Sequence, residues 1–238
     1  MTPLRWSVVI PAFNEARRLP RFLGEVTGFF DGRGDRYEIL VADDGSTDET
    51  ALRVEAAARQ YPAIRLLRSP RNEGKGAAVR RGMLAAGGEL RLFSDADGAT
   101  PITELKRLEA ALAAGADIAI GSRVPDGSVS VIARSHRVAA GRLFNRVAAT
   151  LGLRGIADSQ CGFKAFRAAA AEDLFGCLRT RGFGFDVELL LLAQRRGYRI
   201  SEVAVNWTDQ AGSKSGVFSD GPRMLWDIVI ARLRLARQ

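Results

Sequence analysis

The sequence predicts an α/β domain built on a mostly parallel, doubly wound sheet with helices on both faces. Two observations lead there. Short β-branched apolar runs alternate with segments of helical apolar spacing through the first half of the chain, the pattern of strand–helix–strand units. Carboxylates and an arginine also recur where those runs end, and such sheets bind ligands outside the carboxyl ends of their strands.

Residues 5–13 (RWSVVIPAF) form the first buried strand. A helix over 15–30 follows, with Leu19, Phe22, Leu23, Val26 and Phe30 on one face. Residues 37–46 make the second strand. The run STDE at 46–49 reads as a capping box, Ser46 accepting from the backbone and Glu49 reaching back, and opens a helix to about Gln60. Strands over 63–69, 89–97 and 116–123 and helices over 74–88 and 103–114 complete the first half. The second half holds a basic amphipathic helix at 135–152 and a polar loop at 158–167 entering another helix. A largely buried helix at 183–197 carries Asp186 and Glu188, which order the site through salt bridges. A strand at 198–207 and a C-terminal amphipathic helix at 221–238 close the chain.

A chain of 238 residues, 47% hydrophobic, suits one globular domain. Its net charge of +8 favours anionic partners, but no nucleic-acid motif accompanies that charge. Cys161 and Cys177 have no metal-ligand spacing and form no disulfide framework, and Cys161 reads as a small buried residue. No secretory signal pattern is present. Nor is there an apolar run of about 18 residues, so no membrane-crossing helix is expected.

The stretch RLFSDADGATP places Asp95 and Asp97 one residue apart at a strand end. Short acidic turns are common, yet two converging carboxylates also suit a hard divalent cation shared with substrate phosphates. Asp43 and Asp44 end a neighbouring strand before a glycine. A carboxylate there accepts hydrogen bonds from a nucleobase or ribose, or caps the next helix, a role Ser46 already fills. Lys75 lies between two glycines at a helix start, a phosphate-binding arrangement that is not a P-loop. Together these read as a nucleoside-diphosphate site with a metal.

The blocks VVIPAFNEARRL, ILVADDGSTDET, NEGKGAAVRRGM, FSDADGATP and GSR follow the order and spacing of the family 2 glycosyltransferases, and the chain resembles that family over its whole length. The later blocks GIADSQCGFKAF, GFGFDVELLLLAQRRGYRISEVAVNW and GSKSGVF resemble the branch of dolichyl-phosphate β-glucosyltransferases and polyprenyl-phosphate sugar transferases. The resemblance implies a GT-A (Rossmann-like) fold in one domain over 1–238, with a nucleotide-sugar and metal half at 1–123 and an acceptor half with the C-terminal helix at 124–238. It implies inverting transfer of a hexose, glucose from UDP-glucose above others, to a polyprenyl or dolichyl phosphate. Ala99 stands where the mannosyl branch carries glutamine, which favours UDP-glucose over GDP-mannose. The alternatives are a GDP-mannose-dependent mannosyltransferase or a family 2 transferase with a non-polyprenyl acceptor. The Q-x-x-R-W motif of processive synthases is absent.

By that resemblance Pro11, Ala12, Asn14, Glu15 and Asp43 line the nucleoside, with Asp44 beside them. Lys75, Asp95 and Ala96 meet the nucleotide, and Asp95 and Asp97 hold Mg²⁺ or Mn²⁺, Asp97 being counted as catalytic. Arg123, also counted as catalytic, and Arg137 hold the lipid phosphate. Asp158 orients the acceptor or acts as a base, with Gln160 and Lys164 as neighbours. A phosphate monoester is already largely dianionic at neutral pH, its second pKa being about 6, so a base is not obligatory. The two basic amphipathic helices suit peripheral contact with the cytoplasmic face of a membrane. A homo-oligomer is left open.

Overall fold

The computed structural model describes residues 3–133, 145–150, 152–210 and 226–234. Seven strands form one sheet in the order β3-β2-β1-β4-β7-β5-β8. They are β1 (Trp6–Ala12), β2 (Tyr37–Asp43), β3 (Ile64–Arg68), β4 (Leu90–Ser94), β5 (Ile118–Ser122), β7 (Phe163–Arg167) and β8 (Ile200–Ala204). The remaining strands, β6 (Val131–Ile132) and β9 (Trp207–Thr208), pair in a small parallel sheet of their own. In the main sheet β1 pairs in parallel with β2 and β4, β2 with β3, and β5 with β8; β7 alone runs antiparallel, between β4 and β5. Strands of both halves of the chain thus share one sheet.

The helices are α1 (Leu19–Asp31), α2 (Thr50–Gln60), α3 (Lys75–Ala85), α4 (Leu105–Ala113), α5 (Ala168–Cys177) and α6 (Phe185–Arg195). Two apolar clusters lie on the two sides of the sheet. On one side Trp6, Val8 and Ile10 meet Phe22, Val26 and Phe30 of α1, Val54 of α2 and Leu105 and Leu108 of α4. On the other side Val9 and Phe93 meet Val79 and Met83 of α3, Leu174 and Phe175 of α5 and Leu189 and Leu190 of α6. The alternation of β1 side chains between the clusters is the period of a strand buried on both faces.

Three expectations are corrected. The first helix begins at Leu19 rather than residue 15. Asn14 has a left-handed backbone (φ 55°), and the Glu15 carbonyl accepts from the amides of Arg18 and Leu19 in a turn that precedes the helix; Pro20 then sits in the first turn, where a missing N–H costs nothing. The capping box at 46–49 does not form. Ser46 donates its hydroxyl to Asp43, and Asp48 instead accepts from the Thr50 amide at 2.9 Å. Residues 163–167, expected as polar loop, form the interior strand β7, between β4 and β5. Lys164 disguised it: the side chain is fully buried, its Nζ 2.7 Å from the Cys161 carbonyl, 2.5 Å from Asp186 Oδ1 and 5.1 Å from the centre of the Phe93 ring. A buried lysine is rare unless paired, and its partner is 22 residues away in sequence. Asp186 therefore plays the salt-bridging part expected of it, while Glu188 accepts from the Thr180 amide at 2.6 Å.

Of the basic helix expected at 135–152, residues 145–150 are helical, while 134–144 and 151 lie outside the described residues. Of the C-terminal helix, 226–234 is helical and the flanking residues lie outside. Among the described residues no helix is long and apolar enough to cross a membrane.

Removing one partner of a buried ion pair strands the other charge. Lys164→Met is expected to lose about 3–5 kcal/mol of stability in urea denaturation, and Lys164→Met with Asp186→Leu to regain most of it. Equal stability of the single variant and the wild type would show that the pair is not needed to hold β7 in the sheet.

Candidate active site

The carboxyl ends of β1, β2 and β4 open on one edge of the sheet, with Ala12 opposite Asp43 in register. The loops after β1 and β2 are tied together. Asn14 Oδ1 accepts from the Thr47 amide at 2.8 Å, Ser46 Oγ from the Asn14 amide at 2.9 Å and Thr50 Oγ1 from the Glu15 amide at 2.7 Å. Asn14 and Glu15, expected beside the nucleoside, thus brace the two loops, while Pro11 and Ala12 are buried in β1. Asp43 is fully buried. Its Oδ1 accepts from the Ser46 amide at 3.2 Å, but Oδ2 has no hydrogen-bond partner among the described residues and sits 3.8 Å from Arg68 Nε. A buried acceptor without a donor is unfavourable unless a ligand supplies one.

Asp44 corrects the expectation of a donor contact. Both its oxygens are occupied by the amides of Glu73 and Gly74, at 3.1 and 2.8 Å. It therefore anchors the loop that presents Lys75. Gly74 has φ 104°, and a Cβ there would lie 2.5 Å from the Arg181 carbonyl oxygen, so the loop approaches residues 180–182 as only glycine allows.

Asp95 and Asp97 lie just beyond β4, and Ala96 lies buried between them. The Asp95 amide donates to the Gly162 carbonyl at 3.0 Å, and its carboxylate fills the space where a Cβ on Gly162 would stand. Lys75 Nζ lies 2.5 Å from Asp95 Oδ1. Burial opposes the Lys75 charge, but Asp95 and Asp186 outweigh it and raise its pKa. Asp97 Oδ1 accepts from the Ala99 amide at 3.1 Å; burial, and then the neighbouring Asp95 charge, push its pKa up. Two crowded oxygen ligands in this electrostatic state fit a divalent cation, which relieves the repulsion between them. Among the described residues no group of three histidine, cysteine or acidic side chains gathers around a metal position; hard cations often take two carboxylates and draw further ligands from substrate phosphates.

Arg18, which motif reading passed over, also faces this cluster. Its Nε and Nη2 donate to the two oxygens of Glu15 at 2.7 and 2.5 Å, and its Nη1 lies 3.8 Å from Asp97 Oδ2. The signal was present as a Glu-x-x-Arg spacing, which puts the pair on one side of a helical turn.

At the end of β5, Arg123 and Asp158 form one unit. The Arg123 amide and Nε donate to Asp158 Oδ2 at 2.9 and 2.7 Å, and Nη2 donates to Oδ1 at 2.8 Å. Trp207, another residue the motifs did not reveal, lies under the guanidinium at 5.6 Å. Asp158 is buried, which opposes its charge, but Arg123 outweighs this and holds its pKa below the usual aspartate range. A carboxylate so committed is a poor base, which favours the orienting reading of Asp158 over the base one. Glu202 accepts from the amides of Ala157 and Asp158 at 2.8 and 2.7 Å and makes this loop rigid. Gln160 Nε2 is buried without a hydrogen-bond partner among the described residues. Lys164, expected near the acceptor, is corrected: its ammonium is sealed in the pair with Asp186 and offers no donor to an incoming phosphate. Burial pushes the Cys161 thiol up to about 12, so it is inert packing. Arg137 lies outside the described residues.

The family model for glycosyl transferase family 2 matches residues 7–175. Dolichyl-phosphate β-glucosyltransferase of Dictyostelium discoideum is 40% identical, the alignment covering 96% of this chain and 74% of the relative. The human protein described by the same words is 37% identical over 96% of this chain and 75% of its own. Among solved structures, glucosyl-3-phosphoglycerate synthase from Mycobacterium tuberculosis with phosphoglyceric acid superposes with a TM-score of 0.72 at 21% identity, covering 97% of this chain and 79% of that one. Its complex with Mn²⁺ and UDP-glucose gives 0.71 at 22% identity, with 97% and 78% covered. These neighbours share the GT-A fold with this chain.

Proposed function

The chain belongs to glycosyl transferase family 2, and from that premise we propose that it transfers glucose from UDP-glucose to the phosphate of a polyprenyl lipid, with inversion at the anomeric carbon. The observation that carries this reading is that the Lys75–Asp95 pair, with Asp97 beside it, and the Arg123–Asp158 pair lie at strand ends on one sheet edge, where the first suits a metal-bound diphosphate and the second a phosphate. The relatives named above support the same donor sugar and acceptor class.

In this reading the buried Asp43 Oδ2 accepts an N–H of the base, and Pro11, Ala12 and Ala96 shape the pocket around it. Asp95 and Asp97 hold Mg²⁺ or Mn²⁺, which when bound neutralises charge on the departing nucleoside diphosphate. Lys75 lies within reach of the same diphosphate. Arg123 turns its remaining donors to the acceptor phosphate while Asp158 and Trp207 fix its plane, and the orphan amide of Gln160 is a second donor on that side. One phosphate oxygen forms the bond to the anomeric carbon as the bond to the diphosphate breaks, the electron pair leaving with the nucleoside diphosphate. The nucleophile is already anionic, so alignment carries more weight than base catalysis.

The acceptor class implies a lipid surface on the cytoplasmic side. The helical residues 226–234 support peripheral contact. Ile228 and Ala231 face the protein, while Trp226 and Leu233, on the opposite side, are 66% and 51% exposed. Arg232 joins Arg154 and Arg195 around a cavity of about 360 Å³ on the flank of that helix. An apolar stripe beside arginines suits an anionic bilayer.

With polyprenyl phosphate and Mg²⁺ or Mn²⁺, label from UDP-glucose is expected in the organic phase; label from GDP-mannose alone would move the donor to the mannosyl reading. Asp158→Asn is expected to lower kcat/KM for the acceptor by about 10- to 100-fold, chiefly through KM. The depressed Asp158 pKa means that its ion pair persists above the ordinary aspartate range and is lost only as pH falls through the lower folded value. The wild-type pH–rate profile should therefore carry no Asp158 limb near neutrality, and a limb there that vanishes in Asp158→Asn would restore the base role. Trp226→Glu with Leu233→Glu should abolish sedimentation with anionic vesicles and spare turnover of a short, soluble prenyl phosphate; unchanged sedimentation would exclude this helix as the docking surface.

A further inference from the structure

The Asp95–Asp97 cluster faces two cations, Lys75 and Arg18. Lys75 pairs with Asp95. Arg18 is set differently. Two of its nitrogens are locked on Glu15, which fixes the guanidinium plane, since the fork of an arginine is rigid. The third, Nη1, is buried and has no hydrogen-bond partner among the described residues. It points to the metal-side carboxylate but stops 3.8 Å from Asp97 Oδ2, beyond hydrogen-bond reach. An arginine that served only to close the 14–18 turn would complete its work through Glu15 and leave Nη1 to water. Here Nη1 is instead held dry, beside the position where the diphosphate of the donor would enter.

We propose that Arg18 is a diphosphate-binding residue: Nη1 waits beside Asp97 and donates to a phosphate oxygen of the donor once the metal–diphosphate complex fills the cluster. The inference rests on the donor reading above. Charge counting supports it. Glu15, Asp95 and Asp97 face only the two cations Arg18 and Lys75, and a divalent ion offsets the two negative charges of a sugar–nucleoside diphosphate, so the filled site has no excess positive charge and loss of Arg18 leaves it more negative still. As the bond to the sugar breaks, the electron pair and a further negative charge remain on the terminal phosphate. Arg18, already aimed and already desolvated, meets that charge without reorganisation. Glu15 acquires a role by the same geometry: it positions Arg18 rather than touching the nucleoside.

The test separates diphosphate binding from turn closure and needs no turnover. Calorimetric titration would measure UDP with Mn²⁺, uridine alone and Mn²⁺ alone on the wild type, Arg18→Gln and Arg18→Lys. The expected result for Arg18→Gln is a loss of about 10- to 100-fold in UDP–Mn²⁺ affinity, with uridine binding unchanged and Mn²⁺ alone bound at least as tightly as by the wild type, because a repelling charge has gone. Arg18→Lys, which keeps the charge but not the fork, should recover part of the loss. Equal UDP–Mn²⁺ affinity in the wild type and Arg18→Gln would overturn the assignment and leave the donor reading standing. A parallel loss of uridine affinity would also overturn it, in favour of turn closure. A wild type that does not bind UDP with Mn²⁺ would overturn the donor reading, and the Arg18 assignment with it.

Discussion

Two carboxylates of like charge, packed side by side at the end of a buried strand, set the conditions that much of this molecule meets. Asp95 and Asp97 repel each other in a partly desolvated place, and repulsion of that kind is strong where water is excluded. The surroundings supply opposite charge in layers. Lys75 lies on Asp95, Arg18 faces Asp97, and Asp186 stands between Lys75 and the sealed ammonium of Lys164. Each partner comes from a different loop or element, so the charges staple the sheet edge to α3, α6 and the first loop. Gly162 makes the room that lets Asp95 lie flat against β7.

The acceptor side solves a related problem by another route. At the end of β5 a single arginine is oriented by a bidentate carboxylate, an aromatic face and a loop whose amides rest on Glu202. Such an arrangement loses little entropy on ligand binding because its geometry already exists. The donor side holds buried polar atoms without partners, Asp43 Oδ2 and Arg18 Nη1, and the acceptor side holds Gln160 Nε2. Native structures keep few such atoms, which makes these three candidates for contact with a polar ligand.

The strand–helix alternation of the first half was legible because strands buried on both faces read as mainly apolar runs, and β1, β2, β4 and β5 do so despite Ser7, Glu38 and Arg91 within them. The chemistry at strand ends was legible for the same reason, since a carboxylate after such a run has nowhere to go but the edge. What escaped was decided by partners distant in sequence. β7 looked polar because Lys164 is balanced by Asp186 on another element. Asp44 looked like a ligand contact because the amides that occupy it belong to a loop 29 and 30 residues on. Asp158 looked free to act as a base until Arg123 folded onto both its oxygens, 35 residues away.

By itself, then, the sequence determined the fold class and the family, and it pointed to the sheet edge that holds the candidate site. These follow from periodicity and from residue types at the ends of apolar runs, which are local properties of the chain. Only the tertiary structure decided which polar groups are spent and which remain available, because satisfaction of a buried charge or amide depends on what packs against it from across the fold. That sorting shows Asp44, Lys164, Asn14 and Glu15 engaged within the framework. It left Asp43, Lys75, Asp95, Asp97 and Arg123 at the edge, and it brought Arg18 in beside them.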